Sequence, residues 1–129
     1  DSVFSVADDV STNGSGSTYI NYLFATLAGV SKVGSYTGTA ATLNVDCGFS
    51  AGARFILIKR TDSTGDWYVY DYFRGIVSGN DPYLLLNTGT GEVTNTDYID
   101  PLANGFTVTS SAPAALNASG GTYIFLAIA

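Results

Sequence analysis

Asp62 and Asp66 stand on either side of a Ser-Thr-Gly stretch, and the run Trp67-Tyr68-Val69-Tyr70-Asp71-Tyr72 follows at once. Two chemistries are open to such a segment. Carboxylates on a tight loop are ligands for a hard cation, which makes Asp62 and Asp66 the candidate calcium pair. Calcium takes about six or more oxygens, and EF-hand spacing is absent, so the competing reading is an Asx-type turn with solvated charges. The rings could instead stack against a sugar. Trp67, Tyr68, Tyr70 and Tyr72 are the candidate ligand-binding residues, because Tyr and Trp offer contact area at small entropic cost. For Trp67 core packing is the stronger expectation. Tyr68, Tyr70 and Tyr72 share the opposite face of a strand, and if exposed they would form an amphipathic patch suited to a partner.

Other chemistry is harder to assemble. The chain has no His and one Cys. That removes the usual general base, the Ser-His and Cys-His nucleophile pairs and ordinary zinc sites. Glycoside hydrolysis needs two acids at a set separation, and no spacing singles out a pair among Asp62, Asp66, Asp71, Asp81, Asp97 and Asp100. The expectation is a protein that is not an enzyme and holds no cofactor, with calcium at Asp62 and Asp66 as the alternative. Cys47 is expected to be a buried small hydrophobe. Lys59, Arg60 and Arg74 are expected to pair with Asp62, Asp66 or Asp71 across a hairpin. Asn13 and Asn117 open N-x-S sequons and are read as turn residues, since only a eukaryotic secretory source would glycosylate them.

Composition bounds the partners. The net charge is −6, and five basic residues are scattered along 129 positions. Nucleic acid needs a cationic face, and an anionic membrane is disfavoured for the same reason. No apolar run approaches a membrane span, and no signal-peptide pattern opens the chain. Met is absent, so a processed chain or a piece of a longer one is expected. With 46% hydrophobic, 13% aromatic and 12% charged residues, the chain is far from the composition of disorder.

The elements that must carry these side chains are strands. "RFILIKR" and "DWYVYDYF" alternate with apolar residues on both faces, and "TDSTGD" between them reads as a hairpin loop. Further strands are expected at 3–6, 18–25, 31–37, 41–46, 83–87, 106–109 and 122–129, with one helical turn at 112–116. Gly, Asn, Ser and Asp clusters punctuate them. About nine or ten short strands with no long helical period predict an all-β, antiparallel two-sheet sandwich in one module over 1–129.

The chain also repeats itself. Phe4-Ser5-Val6 matches Phe106-Thr107-Val108, and "STNGSGSTYI" matches "ALNASGGTYI". Thr18 lines up with Thr122, an offset of 122 − 18 = 104 residues. Residues 1–25 thus resemble 104–129, as a slice through a tandem array would. Residues 18–25 and 122–129 are expected to be neighbours in one sheet, since first and last strands of a jelly roll often pair.

The phrases "YINYLFA", "KVGSYTGTA", "GFSAGARFILIKRTDSTGDWYVYD", "RG", "YLLLNT", "NGFTVT" and "SGGTYIFLAIA" occur in this order over nearly the whole chain. Together they resemble a repeated β-module of tail and fibre-like virion proteins of tailed bacteriophages. The resemblance implies a lectin-like, concanavalin-like jelly roll, a virion or extracellular location, and tandem or oligomeric assembly. It brings no catalytic residues. The implied function is a structural module of a tail, fibre or appendage, with host-surface recognition as a further role. Its partners would be other copies of itself, other virion proteins or a host-surface glycan, with neither nucleic acid nor membrane. A carbohydrate-binding domain and a capsid-decorating or filament-forming subunit are the alternatives.

Overall fold

The computed structural model describes residues 3–129. It is mostly β, with eight strands in two antiparallel sheets and two single helical turns among the described residues. The larger sheet contains β1 (Ser31–Thr37), β3 (Phe55–Arg60), β4 (Trp67–Asp71), β5 (Leu84–Leu85) and β8 (Thr122–Ile128), in the spatial order β1-β8-β3-β4-β5. The smaller contains β2 (Leu43–Asp46), β6 (Ile99–Leu102) and β7 (Gly105–Val108), in the order β2-β7-β6. The helical turns are α1 (Val10–Asn13) and α2 (Ala114–Asn117).

Period-two alternation explains the core. Ile56 and Ile58 of β3 lie opposite Tyr70 and Tyr68 of β4, and opposite Ala127 and Phe125 of β8. All six are buried and face Val45, Ile99, Phe106 and Val108 from the smaller sheet. Aromatic rings join the layers. Phe125 and Tyr36 meet Phe106 edge to face at 5.4 and 6.5 Å, and within the larger sheet Tyr36 stacks on Tyr123 at 4.8 Å. Such pairs add roughly 0.5–1.5 kcal/mol beyond the area they bury. In β1, Gly34 leaves the space that the Phe125 ring fills, since a Cβ there would come within 2.8 Å of that ring.

The hairpin expected from "RFILIKR" and "DWYVYDYF" is present, with Phe55 opposite Asp71 and Lys59 opposite Trp67. Segments 31–37, 41–46, 106–109 and 122–129 became β1, β2, β7 and β8 with small changes of bounds, while 83–87 shrank to the two residues of β5. β6 had escaped the sequence reading because Pro101 interrupts it. Proline cannot donate to a ladder, and β6 tolerates it as the outer strand of the smaller sheet.

Two expectations are corrected. Residues 3–6 and 18–25 are not strands. Consequently 18–25 is not the sheet neighbour of β8, which lies between β1 and β3 and has no free side. The free edge of β1 is partly closed by the chain just before it. Leu27 and Ser31 form an antiparallel bridge, and the Thr26 hydroxyl accepts from Val33 N at 3.1 Å. Residues 3–25 therefore form an arm outside both sheets.

The junction of β2 and β7 yields a clear expectation. A Cβ on Gly105 would run into the Val45 carbonyl oxygen, whereas one on Gly89 would meet nothing within 4 Å. Gly105→Ala is expected to lower the thermal midpoint by ten degrees or more, or to prevent folding, because the smaller sheet must part. Gly89→Ala should shift it by no more than about two degrees, as exposed substitutions usually do. Circular dichroism melts of the two variants check this.

Candidate functional site

The outward face of the larger sheet carries an apolar patch at its middle, bordered by Ser35, Lys59, Asp71 and Thr122. Val33, Leu57, Leu126 and Ile128 alternate with the inward residues, and Trp67 lies on the same face. Tyr22 and Phe24 of the arm approach this face, and between them lies an open groove of about 660 Å³ lined also by Phe55 and Leu86. Trp67 is half-buried there instead of packed in the core. Its position is held by backbone bonding, since Trp67 N donates to Asn87 Oδ1 at 2.9 Å and Asn87 Nδ2 donates to Asp66 Oδ1 at 2.7 Å.

The aromatic candidates separate. Tyr68 and Tyr70 do share the face opposite Trp67, but that face is the inside of the sandwich. Burial pushes the Tyr68 hydroxyl up to about 12, with Tyr83 and Asp66 adding to it, and raises that of Tyr70 further. Neither ring can serve as an open platform. Tyr72, one residue past the end of β4, is exposed and meets Phe73 edge to face at 6.0 Å. The Arg54 guanidinium sits 4.9 Å from the Tyr72 ring centre. Phe73 is 91% exposed. Arg54 and Tyr72 line a shallow depression together with Ile76 and Pro101. Sequence reading missed Phe73 because nothing in the alternation shows where β4 ends, and Arg54 because its place beside Tyr72 comes from the pairing of β3 with β4.

The acidic candidates are engaged elsewhere. Asp62 accepts from Arg60 Nε at 2.8 Å and from Thr122 N at 3.2 Å. The bond from Arg60 is the main reason its carboxyl lies at about 2. Asp66 accepts from Asn87 instead. The pair thus serves two different partners, and among the described residues no group of three or more His, Cys, Asp and Glu side chains is placed to hold a metal ion. Arg74 pairs with Asp71 at 2.7 Å and with Glu92 at 3.1 Å, while the Lys59 ammonium donates to the Gly65 carbonyl. Cys47 is buried, and burial, with the Asp46 charge second, raises its thiol to about 11.

Two polar residues matter more than their sequence context suggests. Asn117 is buried and ties three segments together, with Oδ1 accepting from Thr39 N and Nδ2 donating to the carbonyls of Ala41 and Thr109, all at 2.9 Å. Its place in the repeat was the only signal. Asp81 is fully buried, and its oxygens accept from Tyr98 N and Ile99 N at 2.9–3.0 Å. Desolvation raises its carboxyl to about 7. The two N–H groups pull it down, while the charges of Asp97 and Asp100 push it up.

Fold and surface together define an all-β protein of two antiparallel sheets whose larger sheet carries an apolar patch on its outer face as well as an apolar inner one. Residues 1–129 match the family described as a domain of unknown function, DUF7483, and the chain belongs to that family. No curated protein and no solved structure matches it. No helix among the described residues is long and apolar enough to cross a membrane.

Asp81 gives a pH dependence of fixed sign. Its folded pKa lies above the ordinary 3.8, so between about pH 4 and 7 the folded chain holds a proton that the unfolded chain has released. Stability from this residue therefore falls as pH rises through that window, by at most about 1.4 kcal/mol per pH unit. Urea unfolding from pH 4 to 7.5 should show the decline, and Asp81→Asn should flatten it. An unchanged slope in the variant would assign the effect to another group.

Proposed function

We propose that this chain is a non-catalytic structural module of a phage virion, wound as a jelly roll and working in a tail, fibre or appendage. Its partners are copies of the same fold and other virion proteins, with contact to a host surface as a second role. The observation that carries this reading is the apolar outer face around Leu57, Trp67 and Leu126, with the arm's Tyr22 and Phe24 set against it. A sheet whose second face is also apolar suits burial against further protein. The resemblance of its sequence phrases to phage β-modules supports a virion as the setting of that assembly. Trypsin would release residues 61–74 as one peptide, TDSTGDWYVYDYFR. Mass spectrometry of purified particles should find it at the level of other structural proteins. Its absence from particles, with presence in the infected-cell extract, would contradict the proposal. A parent polypeptide near 13.4 kDa would favour a decorating or filament-forming subunit over an array.

A second reading has its own support in the exposed Tyr72 and Phe73 rings beside Arg54. Exposed rings with a neighbouring cation are the means by which a β-protein stacks a sugar and bonds its hydroxyls. Glycan-array binding that drops at least tenfold in Tyr72→Ala and Phe73→Ala, with unaltered thermal midpoints, would support carbohydrate recognition. No binding to any glycan at millimolar concentration would refute it.

A further inference from the structure

The arm copies, in its backbone turns and in the bonds of its tyrosine hydroxyl, a segment that the body buries. α1 (Val10–Asn13) and α2 (Ala114–Asn117) are single helical turns 104 residues apart. After each comes a glycine of positive φ, 78° at Gly16 and 74° at Gly120. Tyr19 then folds back, its hydroxyl donating to Val10 O at 2.7 Å and accepting from Gly14 N at 2.7 Å. Tyr123 does the same at the same offset, donating to Ala114 O at 2.7 Å and accepting from Ala118 N at 2.8 Å. The repeat is therefore conformational as well as textual.

The two copies differ in what surrounds them. Tyr123 is fully buried and stacked on Tyr36, and its strand, β8, bonds to β1 and β3 on its two sides. Tyr19 is exposed, and so are Ile20, Tyr22, Leu23 and Phe24 behind it. Phe106 and Val108 of β7 are fully buried, while their counterparts Phe4 and Val6 are exposed. Asn13 is exposed too, yet it stands where Asn117 makes three bonds to other segments. In the body the equivalents of these side chains lie inside or along an assembled sandwich.

We infer that residues 4–25 are the β7-α2-β8 segment of a second copy of this fold, which they complete by supplying the middle strand of each of its sheets. In the body both equivalents are middle strands, β7 between β2 and β6 and β8 between β1 and β3. The arm would thus be held by ladders on both sides, and the joint between copies would be two interlocked sheets.

The receiving copy differs in sequence from this one. Its inner positions must accept Asn21 where this body has Phe125, and Leu23 where it has Ala127. Val3 stands in place of Gly105, whose Cβ would run into the Val45 carbonyl. This body's own slots are filled by β7 and β8, so a second molecule of the same chain offers no vacant place. The geometry therefore favours a neighbouring, divergent copy in the same polypeptide. The repeat and its hydrogen bonds carry this pairing wherever the protein works.

Hydrogen exchange tests this on the natural polypeptide that contains residues 1–129, alongside the 129-residue chain alone. In the natural polypeptide the amides of Tyr19 to Phe24 should exchange as slowly as those of Tyr123 to Ile128, at least about a hundredfold slower than an open chain. In the chain alone the arm should lose that protection while β8 keeps it. Fast exchange of the arm in both samples would overturn the inference, because the arm then pairs with nothing. Slow exchange in both would also overturn it, because the arm would then be satisfied within its own chain. A natural polypeptide with no further copy of this fold would have the same consequence.

Discussion

The constraint on which the rest of the structure depends is the position of β8 between β1 and β3. Its backbone joins two parts of the chain that are otherwise far apart, and its inward side chains Tyr123, Phe125 and Ala127 lie along the middle of the core. The Tyr123 hydroxyl binds the α2 turn, its ring stacks on Tyr36, and the Arg60 guanidinium lies 5.9 Å from its ring centre. With both its donor and its acceptor partnered, this phenol avoids the cost of an unpaired buried polar group, about 1–3 kcal/mol. The approach of Phe125 to Gly34 and to Phe106 then sets the spacing of the two layers.

From this constraint follows the character of the surface. Because β8 and β3 are flanked on both sides, their outward residues Leu57, Leu126 and Ile128 cannot be avoided by water unless something lies over them. The arm does so in part through Tyr22 and Phe24. The same aromatic, sparsely charged composition that builds the core therefore leaves a face for contact, while the carboxylates are spent on ion pairs, turns and the buried anchor at Asp81.

Much of the architecture was legible in the sequence because alternation and turn residues act locally. "RFILIKR" read correctly as a two-faced strand, and the polar loop after it as a hairpin. What failed were features decided at a distance. Residues 18–25 have all the marks of a strand and resemble β8 closely, yet whether they pair depends on which segment takes the slot. Pro101 hid β6, since the rule against proline in sheets relaxes only once the strand is known to be an outer one. The Tyr ladder of β4 pointed inward, and no local pattern distinguishes an inner apolar face from an outer one when both are apolar. Asp81 gave no sign at all, because its backbone partners Tyr98 and Ile99 are far along the chain.

The most direct measurement of the central claim is the set of backbone nuclear Overhauser contacts made by β8 in solution. The structure predicts cross-strand contacts from Phe125 to Gly34 on one side and to Ile58 on the other, with none from β8 to residues 18–25. Contacts between β8 and residues 18–25, in place of those to β1, would contradict the account.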